Sequence, residues 1–203
     1  MRLMTEFEAK AILEPYIPKI HKAILDAVNS YFANPALALL RSKMSKRSDA
    51  SICHDLIIEN MKSVFEGESG IKCSYSNKLF LLVVKGQVVL RFNLFDSNKL
   101  SHGIQTGQLI AYNNQQFDEP ELDIDTPDGL LYAGYLINPL RTGASNVFIT
   151  CRYQNHNVWE WELVAPQPKI TEITKDKDVQ KPVRKRRVKP KNNKIGDVND
   201  SAQ

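Results

Sequence analysis

The sequence holds little that serves redox, metal or membrane chemistry. Its three cysteines, Cys53, Cys73 and Cys151, form an odd set with no Cys-x-x-Cys pair, which excludes a zinc knuckle and a secreted disulfide framework. Three free thiols fit a reducing cytoplasm. No window approaches the roughly 18 apolar residues of a membrane span. The opening MRLMTEFEAKAILEPYIP carries acidic residues and no apolar core of signal-peptide length. A soluble cytoplasmic protein with no membrane partner is therefore expected. Gly-rich phosphate loops, GxSxG elbows, HExxH helices and dinucleotide fingerprints are missing too, so no cofactor is expected. The acidic stretch from Phe117 to Gly129 lacks the ligand order and central glycine of an EF-hand. It reads as a solvated loop, and no metal site is assigned.

What is present is a pattern of helices followed by strands. Leu79 to Phe95, LFLLVVKGQVVLRFNLF, sets two apolar runs around Gly86-Gln87 and reads as a β-hairpin with Gly first in a II′ turn. Its first arm is apolar at every position, as in a strand covered on both faces. Before it, Thr5 and Glu8 form a capping box for a short helix ending near Pro15. Ile17, Ile20, Ile24, Ala27, Val28 and Tyr31 make the stripe of a second helix, and Asn34-Pro35 opens a third. A fourth, capped by Ser48 or Ser51, is expected to face inward with Ile52, Leu56, Ile57, Met61, Val64 and Phe65. Strands follow at Ile71 to Tyr75, Leu130 to Ile137, Asn146 to Tyr153 and Val158 to Val164, the last three as an antiparallel meander. Thr106 caps a further helix whose polar end is Asn113 to Gln116.

The expected fold is α+β, with amino-terminal helices packed on an antiparallel sheet of about six strands. Residues 1–165 form one domain, of which 1–45 are a helical cover and 46–165 a helix plus the sheet core. Residues 166–203 have no aromatic residue and a net charge of +6, leaving −2 for the rest of a chain at +4. Such a segment buries too little apolar surface to offset its ordering entropy and is expected to be disordered. Arg184, Lys185, Arg186, Arg187, Lys189 and Lys191 are its candidate contacts to nucleic-acid phosphates.

Two places in the body invite chemistry. Arg47, His54 and Asp55 stand at the start of the fourth helix, and the six residues between Arg47 and His54 match a spacing used by helical ribonuclease toxins of the HEPN type. There a cation and a histidine act together on a phosphodiester; His54 would be the acid–base group and Arg47 the anion stabiliser. The plainer reading has Asp49 and Ser51 as caps, Arg47 solvated and His54 beside the core. The second place is Arg91, inside an apolar strand, where a charge needs a carboxylate, a phosphate or an exposed face. A structural pair with Asp55 or Glu59 is the plainer alternative. Trp159 and Trp161 share one face of the final strand, and His21, His102 and His156 read as surface or turn residues.

RSDASICHDLI, LFLLVVKGQVVLRFNLF, IQTGQLIAYNNQ, LYAGYLINP and VWEWEL, in that order, resemble a family of small bacterial proteins. Its members look like partners of a helix-turn-helix regulator with an IrrE-type metallopeptidase domain, in toxin–antitoxin and phage-defence cassettes of the RosmerTA kind. The resemblance covers about Arg47 to Leu163. It implies a growth-inhibiting effector held inactive by a cognate antitoxin or regulator. The alternative is a non-enzymatic binding module that contacts nucleic acid or a protein partner through the tail and the sheet face.

Overall fold

A computed structural model describes residues 2–76, 78–101, 103–116 and 126–164. The basic tail, His102 and most of the acidic stretch lie outside these. The α+β expectation holds: helices α1 (Glu6–Leu13), α2 (Ile17–Ala33), α3 (Ala38–Arg41) and α4 (Lys46–Val64) precede a six-stranded sheet. The strands are β1 (Ile71–Ser76), β2 (Leu79–Val84), β3 (Val88–Leu94), β4 (Gly129–Ile137), β5 (Ala144–Tyr153) and β6 (His156–Leu163), with α5 (Gly107–Asn113) between β3 and β4. They lie side by side in chain order. Among the described residues, no helix is long and apolar enough to cross a membrane.

The helix signals act where the sequence places them. The Thr5 hydroxyl accepts from the Glu8 amide, and the Glu8 carboxylate accepts from the Thr5 amide at 2.9 Å. Pro15 turns α1 through one 3-10 turn into α2, whose six expected stripe residues are all buried. α4 departs from expectation in two ways. It begins earlier, with Ser45 as its cap. Its inward stripe is Asp49, Cys53, Ile57, Ile58, Met61 and Phe65, while Leu56 and Val64 are more than a third exposed. A residue four places on lies on the same face, and the series 49, 53, 57, 61 outranks local apolarity.

The sheet alternates with period two between two cores. Leu82 and Val84, Leu90 and Phe92, Leu131 and Ala133, and Ile149 and Cys151 face α1, α2 and α4. Leu81, Val83, Val89, Leu130, Tyr132 and Phe148 face Tyr112 of α5. β2 is therefore covered on both sides, as its unbroken apolar run requires. Its turn differs from the expected II′ form. Val84 pairs with Val88, the Gln87 amide donates to the Val84 carbonyl, and Lys85 and Gly86 have φ of 53° and 69°. Two central residues with positive φ make a I′-type turn, with the glycine second and Gln87 added after it.

All neighbouring strands are antiparallel except β3 and β4, which run parallel from Val88↔Gly129 to Leu94↔Tyr135. The sheet is thus mixed. Parallel neighbours need a crossover, and the chain between them carries α5 to the face opposite α4. There the Tyr112 hydroxyl lies between the Val89 and Leu131 carbonyls, at 2.9 and 2.8 Å. Gln115 bonds both backbone groups of Leu130 and donates to the Arg152 carbonyl. The polar end of α5 is a clamp on the sheet.

Where the parallel pair ends, the Phe95 ring lies flat on Gly134, and a Cβ there would stand 2.5 Å from the ring. Gly134→Ala should cost about 1–3 kcal/mol by overpacking, read from urea unfolding. Adding Phe95→Leu should recover part of the loss, since the clash is with the ring.

Candidate functional site

The residues singled out in α4 separate. Arg47 is exposed in the first turn. His54, two turns on, is half-buried, and the backbone of Phe92 is among the groups that act on its ring. The cause lies in the sheet: β2 and β3 pair only from Leu82↔Leu90 to Val84↔Val88. Beyond Leu90, β2 continues along β1 instead, so among the described residues the outer backbone edge of β3 has no strand partner there. His54 meets the Phe92 carbonyl there. Burial lowers the His54 pKa; Asp55 and the carbonyl pull it up, and Arg91 pushes it down. The charges that act on His54 are therefore those of exposed Asp55 and of Arg91, and Arg47 is not among them. With its pKa lowered, the imidazole is neutral at pH 7, with one ring nitrogen able to donate and the other to accept.

Arg91 is half-buried on the α5 face. Its guanidinium carbon lies 4.9 Å from the centre of the Tyr112 ring and 5.9 Å from that of Tyr132. Neither Asp55 nor Glu59 pairs with it; Glu59 holds Lys62 instead. Nη1 is shielded from solvent and has no hydrogen-bond partner among the described residues. Both rings are fixed: Tyr112 as above, and Tyr132 by donating to Asn113 Oδ1 at 2.6 Å. Stacking on two rings contributes roughly 0.5–2 kcal/mol, but it satisfies no N–H group. A shielded donor of this kind points to a missing acceptor.

Asp49, expected as a cap, is the buried carboxylate of the helix–sheet interface. It accepts from the Tyr31 hydroxyl at 2.8 Å and from Arg141 Nη2 at 2.6 Å. Burial and the Asp49 carboxylate push the Tyr31 hydroxyl up to about 12. Cys53, one turn on, is pushed up to about 11 by burial, with the Tyr135 hydroxyl against its thiol. It is no ready nucleophile at neutral pH. His21 is buried, contrary to its reading as a surface residue, and burial lowers its pKa. No set of three His, Cys, Asp or Glu side chains among the described residues is placed to hold a metal ion. The six tail cations from Arg184 to Lys191 lie outside the described residues.

Asp49 and Arg141 carry little sequence signal, since 92 residues separate them. A negative residue in register with Cys53, Ile57 and Met61 was the available clue. Compared with protein-family models, curated proteins and solved structures, the chain matches none.

Removing Arg141 leaves Asp49 buried with Tyr31 alone. Arg141→Ala should cost about 1–3 kcal/mol, below the usual loss for a fully buried pair because Arg141 is over a third exposed. A double-mutant cycle with Asp49→Asn should show coupling of at least about 1 kcal/mol. The depressed pKa values of His21 and His54 set a pH dependence. The unfolded chain takes up protons first as pH falls through about 6.5, so stability is full above that value and is lost below it. The double variant His21→Leu, His54→Gln should flatten the chemical-denaturation profile between about pH 7 and 5. Glu8, held down by its bonds from Thr5, and Glu160, held down against its burial by Lys99 and Asn157, act in the same direction in a lower window, below the ordinary carboxylate value of 4.5.

Proposed function

We propose that this chain is a growth-inhibiting effector of a bacterial toxin–antitoxin or anti-phage pair, acting on an anionic substrate or ligand at the open edge of β3. The observation that carries this reading is Arg91. Its guanidinium is held between Tyr112 and Tyr132 with no acceptor on Nη1 among the described residues, and its charge acts on His54, a neutral base. A shielded Nη1 without an acceptor among the described residues would take one from an anion that binds there. A neutral imidazole can accept a proton at its unprotonated nitrogen. Arg91 would then stabilise the anion, a role that the spacing in α4 had suggested for Arg47. In the setting that the family resemblance implies, a cognate regulator keeps this activity silent. The basic tail would bind nucleic acid through its phosphates.

Induction of the chain alone in bacteria tests the reading. The native chain should arrest growth, and Arg91→Gln and His54→Gln should each restore it while staying folded by circular dichroism. Arg47→Ala should arrest growth as the native chain does. A native chain without effect on growth overturns the effector reading. Arrest by all three variants moves the site away from β3.

A further inference from the structure

The two parallel strands end side by side, and beyond their carboxyl ends lies a cleft of about 420 Å³. Leu94 and Phe95 close β3 on one wall, and Leu136 and Ile137 close β4 on the other; Pro139 adds to the apolar lining. Lys46, Arg141 and Asp96 bring charge, and Ser97 and Ser145 bring hydroxyls. The volume falls in the range of small-molecule sites, and the position, past the carboxyl ends of parallel strands, is where open α/β sheets bind ligands.

Three features show that the chain shapes this cleft. The register of β4 against β5 slips between Leu136 and Ile137, and such irregularities re-aim side chains beside sites. Arg141 has φ of 53°, a conformation that side chains rarely adopt. Its loop is tied down on both sides: Asn138 bonds Thr142 twice, and the Asn29 side chain accepts from the Ala144 amide. Asp49, behind the wall, holds Arg141 through Nη2, and its other donors have no partner among the described residues. Lys46 is exposed, with none either. Asp96, the acidic residue of the lining, turns Oδ1 to the amides of Asn98 and Leu100 in its own turn.

We infer that this cleft binds a small organic anion. Its charged group would meet Arg141 and Lys46, and its apolar body would lie on Leu94, Leu136, Ile137 and Pro139. The site is separate from Arg91 and His54, and the inference does not rest on the effector reading. Asp49 is a positioning residue here, since it reaches the ligand only through Arg141.

Backbone-amide NMR titration of the full chain tests it with three probes: phenyl phosphate, inorganic phosphate and phenol. Phenyl phosphate should give saturable shifts at residues 94–97 and 136–145, with inorganic phosphate and phenol each binding several-fold more weakly. Lys46→Glu, an exposed change that should leave folding intact, should weaken phenyl phosphate about fivefold, and Arg47→Glu, outside the cleft, less than about twofold. Absence of saturable shifts at these amides overturns the inference, as do equal effects of the two variants. Binding of phenol as tight as phenyl phosphate also overturns it, because the cations would then contribute nothing. Growth arrest is not read in this experiment, so its outcome and that of the effector test separate.

Discussion

The parallel pairing of β3 with β4 is the constraint on which the rest of the structure depends. On either side of it the chain makes simple antiparallel neighbours, β1 to β3 and β4 to β6. Joining these two groups in parallel forces the chain to leave the sheet after Leu94 and return at Gly129. That excursion brings α5 to the second face, where Tyr112 and Gln115 meet strand carbonyls and Tyr112 turns its ring to Arg91. The same pairing sets two strand ends together, which opens the cleft at Phe95 and Ile137. An all-antiparallel sheet of these strands would have neither arrangement.

Arg141 and Arg91 illustrate two ways of keeping a cation inside a fold. Arg141 comes from an exposed loop to a buried carboxylate, so its charge is met by the protein. Arg91 comes from within a strand and, among the described residues, meets two ring faces, with Nη1 left without an acceptor. Arg141 therefore ties helix to loop, and truncating it disturbs the fold first. Arg91 has no carboxylate partner among the described residues to strand, which makes its chemistry separable from stability.

Much of the architecture was legible in the residues. The capping box at Thr5, the stripe of α2 and the double-covered run of β2 are local patterns, and local physics decided them. The direction of β4 was not legible, because alternation along Val88 to Leu94 is the same whichever way a neighbour runs. The stripe of α4 misled because Leu56 and Val64 look inward by composition, whereas the sheet takes the face that includes Asp49. The site was half legible. Arg91 stood out as a charge in an apolar strand, but its link to His54 depends on β2 parting from β3 after Leu90, a tertiary event with no sequence mark. Asp49 with Arg141, and Gln115 as a clamp, are long-range pairs of ordinary polar residues, and nothing nearby in the chain announces them.

The last strand holds both tryptophans, and each is engaged by the amino-terminal segment. Trp159 Nε1 donates to the Met4 carbonyl at 2.7 Å, and Lys10 Nζ lies 5.2 Å from the centre of the Trp161 ring. Met4 is in turn packed over Gly129 at the start of β4. The tryptophan emission of the molecule, excited to the red of tyrosine absorption, therefore originates on one side of the sheet, beneath α1. It reports whether the first residues are docked, and it is blind to events around α5. A change in tryptophan emission without loss of the α5 face would mark the lifting of the amino-terminal segment, so tryptophan-detected curves of this protein report that segment together with the last strand.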